Sequence, residues 1–240
     1  MISIKQLAQM AKDFIKVSFG EDMGVEILHL SEISERRADL DIPEDCGGLF
    51  RPPRNGHNAF LFVGYKDESD LFEKYHHELQ HAADYFIVMS EIGEMPEHFS
   101  YYTEYNAGFE GFLKYNTSVL STIQTDVERT EHIAQTKAHL RSVFAKTPRT
   151  IFDLLCDMAR ISALAQIEEG IDYSLCRHIP TSIADIANFI HKYKPTREWY
   201  AEFKNIIERV QATKKSDIRF FCEKDFLQHG NPHKNCACED

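Results

Sequence analysis

The chain is poor in positive charge and in long apolar runs. Its 240 residues carry 27 Lys and Arg against 38 Asp and Glu, which gives a formal net charge of −11. Because binding to phosphate backbones needs clustered basic side chains, we expect no nucleic-acid partner. No stretch approaches the roughly 18 consecutive apolar residues of a membrane span, so no membrane partner is expected either.

Cysteine is also scarce, since six Cys in 240 residues are too few for a disulfide scaffold. The first ten residues mix polar with apolar side chains and lack the continuous apolar core of a signal peptide. These two features predict a cytoplasmic protein with reduced thiols. The 43% of apolar residues, with 17 Phe and 10 Tyr, can supply a sizeable core.

The order of the predicted elements indicates an α+β fold. Residues 2–18 have apolar side chains at helical spacing, and extended segments separated by Pro, Gly and Asn follow over 25–30, 38–42, 46–50 and 59–63. Their short connections favour a small, mostly antiparallel sheet. From about residue 69 the pattern is helical, with segments over 69–89, 103–115, 117–146, 149–169, 181–193 and 196–213. We predict a core over 1–116, a helical extension over 117–213 packed on or following it, and a polar Cys/His-rich tail over 214–240.

One helical segment contains a metal-binding pattern, His77-Glu78-Leu-Gln-His81, which has the HExxH spacing. Two imidazoles one helical turn apart can reach the same tetrahedral zinc ion at roughly 2.0–2.1 Å, and the Glu beside the first ligand can take a proton from zinc-bound water. His77, His81 and Asp84 lie opposite the apolar stripe of this helix, so they are expected to face a cleft or solvent. The stripe comprises Leu71, Phe72, Tyr75, Leu79, Ala82, Ala83 and Phe86.

A hydrolytic zinc site needs a third protein ligand and one open position for water. Asp84 and Ile87 stand where the metzincin pattern requires Gly and His, which excludes that class. A Glu on a following helix is the other common solution, and Glu104 at the start of a predicted helix is the favoured candidate. Glu110 is its main rival, and the loop carboxylates Glu94 and Glu97 are further alternatives.

The order of helix, short sheet, HExxH helix and Glu104-x-x-Ala107 resembles gluzincin metallopeptidases of the ImmA/IrrE type over roughly residues 1–116. That family's second segment reads Glu-x-x-Ala-Asn-x-Phe-Ala, and this chain has Gly108 and Glu110 in place of the Asn and Phe. The resemblance implies a zincin-like fold and a protease that cleaves a specific protein, in that family often a transcriptional regulator.

Side chains near the motif are candidates for supporting roles. Asp84 could orient a ligand imidazole or simply face solvent, while Tyr102 and Glu110 could contact the substrate or the zinc ligands. His76 is turned about 100° around the helix from His77 and is not expected to bind the metal. The segment 58–63 could form a sheet edge along the cleft, to which an extended peptide adds as a strand, or an ordinary core strand.

The tail contains enough soft ligands for a second, structural zinc, with a flexible polar terminus as the alternative. Cys46, Cys156 and Cys176 lie among apolar residues and are interpreted as buried thiols. The tail ligands would be Cys222, His229, His233, Cys236 and Cys238.

The sequence therefore predicts a zinc metallopeptidase in which Glu78 is the general base and a protein or peptide is the substrate. One alternative is a catalytically silent zincin-like module that regulates or binds proteins through its helical C-terminal half. Another is a helical protein without a metal, in which the HExxH spacing arose by chance.

Overall fold

The structure is a computed structural model, and it describes residues 3–33, 42, 47–95, 99–144 and 151–169. The predicted helices over 181–193 and 196–213 and the tail over 214–240 lie outside these residues, as does the predicted strand over 38–42 apart from Ile42. Among the described residues, no helix combines the length and apolar character needed to cross a membrane.

The fold is α+β, as predicted, with a small sheet and mostly helical content. The elements in chain order are α1 (Ile4–Phe19), β1 (Met23–His29), β2 (Gly48–Arg51), β3 (Ala59–Tyr65), α2 (Glu68–Glu91), α3 (Phe99–Thr122), α4 (Asp126–Phe144) and α5 (Ile151–Glu169). Contacts divide the chain into two compact units. The first takes in Met1–Met95 and Glu110–Tyr115, and the second takes in Pro96–Phe109 and Asn116–Asp240.

The sheet of the first unit is mixed and has the strand order β1-β3-β2. β3 pairs in parallel with β1 and antiparallel with β2, so the prediction of a mostly antiparallel sheet was wrong. The connection from His29 to Ala59 is long enough to return the chain for parallel pairing and contains β2. Of the two alternatives for the segment 58–63, the ordinary core strand is confirmed and the sheet edge was wrong, because β3 is paired on both sides.

Helices α1 and α2 pack on one face of this sheet. Ser3 begins α1 with a capping box to Gln6, and Gly20 ends it in the left-handed conformation that glycine adopts without strain. The buried residues between the helices and the sheet include Leu7, Ala11, Ile15, Leu61, Val63, Leu71, Tyr75, Ala82 and Phe86. A smaller apolar cluster contains Ile33, Ile42 and Phe62, so the central strand is buried on both faces.

The second unit is helical in its described residues. The hydroxyl of Tyr105 on α3 donates to Ser162 Oγ on α5 at 2.9 Å, in a buried position. Lys137 on α4 forms an ion pair with Glu168 on α5 at 2.7 Å. The first contact holds the α3 segment that carries Glu104 against α5, and the second joins α4 to α5.

Candidate active site

Helix α2 has well-defined local anchors. Asp67 caps its N-terminus by accepting from the backbone N–H of Asp70 at 2.9 Å. The buried hydroxyl of Tyr75 donates to the carbonyl of Leu7 on α1 at 3.1 Å. Because Tyr75 lies two residues before His77, this bond helps to fix the rotation of the helix at the motif.

The structure brings the two motif histidines together on α2. Their Nε2 atoms lie 3.1 Å apart, and the two rings are nearly perpendicular, with an interplanar angle of 83°. Two nitrogens bound to one tetrahedral zinc at roughly 2.0–2.1 Å would be separated by about 3.3 Å. The spacing of these nitrogens in the structure therefore fits a shared ion without a change of helix geometry.

The second histidine is also in the right protonation state for a ligand. Burial lowers the pKa of His81 to about 4, because desolvation disfavours the charged imidazolium. At neutral pH the ring is neutral and offers a lone pair, which metal binding requires.

Glu78 packs against the backbone of β2 at Gly48. A Cβ atom at position 48 would lie 2.6 Å from Glu78 Cδ and 2.7 Å from Cγ, with Oε1 closer still. Only glycine leaves this space. The niche, meaning the space that the Glu78 carboxylate occupies, therefore exists because position 48 has no side chain. Glu78 is buried, with 7% of its surface exposed, and this restricts the positions that its side chain can take.

A second glycine shapes the surroundings of His77. Gly111, in the part of α3 that belongs to the first unit, approaches α2 so closely that an added Cβ would lie 2.8 Å from the Glu73 carbonyl oxygen and 3.2 Å from His77 Cβ. Neither Gly48 nor Gly111 was predicted from the sequence. The available signal for Gly111 was a glycine inside a helix, where it costs roughly 0.5–1 kcal/mol relative to alanine and so indicates a packing requirement.

Glu104, the predicted third ligand, lies on α3 in the second unit. There the thiol of Cys156 on α5 donates to Glu104 Oε1 at 2.9 Å. Burial and the neighbouring Glu104 charge raise the pKa of this thiol well above its ordinary value. Cys156 is therefore a protonated, partly buried thiol that is hydrogen-bonded to the candidate ligand, and this pairing was not predicted from the sequence.

The remaining predicted residues have different outcomes. Asp84 is buried, with 2% of its surface exposed, and accepts from Gln80 Nε2 at 2.7 Å, so the solvent-facing alternative was wrong. Glu110 is partly buried on α3, and its role stays a prediction. Glu94 is exposed in the turn after α2. The side chain of Tyr102, the loop residue Glu97 and the five tail ligands lie outside the described residues.

Comparisons with known proteins do not identify a family for this chain. No protein-family model, no curated protein and no solved structure matches this chain. The resemblance to the ImmA/IrrE type therefore remains a prediction from the motifs.

Proposed function

We propose that this protein is a zinc-dependent metallopeptidase with a zincin-like catalytic core, acting on a protein or peptide substrate. The observation that carries the proposal is the pair of His77 and His81 nitrogens at zinc-ligand spacing, with the Glu78 carboxylate on the same helix and confined by β2. This combination supports a hydrolytic site more specifically than the spacing of the motif alone.

His77 and His81 would hold the ion, which when bound supplies a water of lowered pKa and polarises the substrate carbonyl. Glu78 would accept the proton from that water and deliver it to the leaving amine. Its niche at Gly48 favours this role, because the carboxylate is packed rather than free to rotate into solvent.

Glu104 is our proposed third ligand. It opens the segment Glu104-x-x-Ala107, which resembles the second motif of gluzincin metallopeptidases. A carboxylate is a normal zinc ligand, and the hydrogen bond from Cys156 is of the kind that orients such ligands.

The experiment uses the full chain loaded with zinc and a peptide library derived from a cell proteome, with cleavage read by mass spectrometry. Glu78→Gln should keep the zinc and lose cleavage by at least about 100-fold, the usual contribution of a general base. His81→Ala should lose both the zinc and the cleavage. Glu68→Gln is the matched control, because Glu68 is an exposed carboxylate in the first turn of the same helix.

A zinc-loaded wild-type chain that cleaves no peptide would contradict the catalytic proposal and favour the regulatory module. A Glu78→Gln variant that retains full activity would also contradict it, since the proposed proton acceptor would be dispensable.

A further inference from the structure

The first unit contains a cavity of about 530 Å³ near the end of β2 and the start of β3. It is open to solvent, because Arg54, Asn55, His57 and Asn58 are exposed. Its lining includes three basic side chains, Arg51, Arg54 and His57, and the ring of Phe60.

The loop that forms the cavity is held by its backbone. Arg54 and His57 exchange two backbone hydrogen bonds of 3.2 and 3.0 Å. Between them, Asn55 and Gly56 have φ values of 52° and 81°, the left-handed pair that defines a tight hairpin turn. The turn therefore forms without the side chains of Arg54 and His57.

Arg51 is positioned by an aromatic ring. Its guanidinium carbon lies 5.9 Å from the centroid of the Phe60 ring, which is a cation–π arrangement. The cavity thus presents a placed guanidinium together with the basic side chains of the turn. A guanidinium recognises a carboxylate through two parallel charge-assisted hydrogen bonds.

The basic cavity lies along β2 from the candidate catalytic residue. Gly48 at one end of β2 contacts Glu78, and Arg51 at the other end lines the cavity. Three residues of extended strand span about 10 Å. Side chains alternate along a strand, so Gly48 faces α2 whereas Arg51 lies over Phe60 on the opposite face of the sheet. A peptide that pairs with β2 and has its scissile bond at Glu78 turns the side chain about three residues away to that opposite face, where the cavity lies.

We propose that this cavity is a specificity site for an acidic substrate side chain, Asp or Glu, about three residues from the cleaved bond. The inference rests on the proposed peptidase function and adds a substrate class to it. The charge of the whole chain supports selectivity, because a protein with a net charge of −11 repels acidic peptides except where basic groups are concentrated.

The test uses the zinc-loaded full chain and peptide pairs that differ only by Glu or Gln at one position, scanned across the sequence. We expect the Glu peptide to be cleaved about tenfold better when Glu lies about three residues from the cleaved bond, the size of one charge-assisted hydrogen bond. Arg54→Gln and Arg51→Gln should each reduce this preference, and Arg54→Glu should reverse it in favour of a Lys peptide. Lys5→Gln, an equal charge change on an exposed residue of α1, should leave it intact.

A second arm measures binding of fluorescent Glu and Gln peptides to the Glu78→Gln chain by anisotropy. Equal affinity, or cleavage that is indifferent to the acidic residue, would overturn this inference while leaving the peptidase proposal in place. If no peptide is cleaved, the peptidase proposal fails. The binding experiment then tests the cavity separately. Tighter binding of the Glu peptide than of the Gln peptide, dependent on Arg54, would support an acidic-residue site in the cavity.

Discussion

Replacing Gly48 by alanine should separate metal binding from catalysis. The added Cβ would lie 2.6 Å from Glu78 Cδ, whereas ordinary van der Waals contact begins at 3.4 Å. The carboxyl group must therefore move by at least about 0.8 Å, because Oε1 lies closer still, or β2 must move away from α2. Misplacement of a catalytic group by about 1 Å can cost on the order of 100-fold in rate.

We expect Gly48→Ala to lose about 100-fold in kcat/KM for the best peptide found in the library. The zinc content should stay unchanged, because position 48 contacts Glu78 rather than a histidine ligand. The loss of stability should be about 1–3 kcal/mol, the usual cost of overpacking, measured by urea denaturation. The assay therefore reads three quantities on one sample: peptide cleavage, bound zinc and the free energy of unfolding.

Gly47→Ala is the matched control. An added Cβ at position 47 would be 3.4 Å from Lys74 Nζ and 3.7 Å from Lys74 Cε, a contact that a flexible side chain can accommodate. We expect this variant to keep activity within about threefold. If Gly48→Ala is as active as Gly47→Ala, the confinement of Glu78 by β2 has no role in catalysis and our reasoning about the niche is refuted.

Three further outcomes are expected. Gly111→Ala should destabilise the protein by about 1–3 kcal/mol in urea and weaken zinc binding, because the new Cβ meets the Glu73 carbonyl. The control Ser118→Ala, at an exposed position of α3, should change neither stability nor zinc binding. The metal-free chain should be fully stable above about pH 6.5 and lose stability toward pH 4. The cause is that burial lowers the pKa of His76 and of His81 to about 4, and the charge of Lys114 lowers the pKa of His76 further. Each ring contributes up to about 3 kcal/mol, so a urea midpoint independent of pH in this window would contradict the burial of the rings. Cys156 should react at least about tenfold more slowly with iodoacetamide in the native chain than in urea, by peptide-level mass spectrometry; equal rates would contradict its raised pKa and its bond to Glu104.

Helix α2 was predictable because its determinants are local. The apolar stripe and the one-turn spacing of His77 and His81 are encoded within a single helix, and the structure bears out the pairing of the rings. Helical periodicity places residues relative to one another without knowledge of the rest of the fold.

The sheet was less predictable, because strand pairing depends on contacts between distant residues. The segments over 25–30, 46–50 and 59–63 were identified as strands, but nothing in their own composition specifies that β3 lies between the other two. The direction of β1 relative to β3 is decided by the long connection between them rather than by either strand. The mostly antiparallel sheet was predicted from short connections, and the longer connection from β1 to β3 allows the parallel pairing that the structure shows.

The finer features of the site also depend on distant contacts. The lack of a side chain at Gly48 matters only because β2 packs against Glu78, which is 30 positions further along the chain. Cys156 and Glu104 are 52 positions apart and meet only through the packing of α5 against α3. A single sequence reports the residue types at such positions but not their proximity.

The central claim is that His77 and His81 share a zinc ion, and metal stoichiometry tests it most directly. Purified full chain, reconstituted with zinc and dialysed, is compared with His77→Ala, His81→Ala and Glu78→Gln by elemental analysis. Each histidine variant should bind about one zinc fewer than the wild type, whatever the tail binds, and Glu78→Gln should equal the wild type. Equal zinc content in the wild type and both histidine variants would contradict the account.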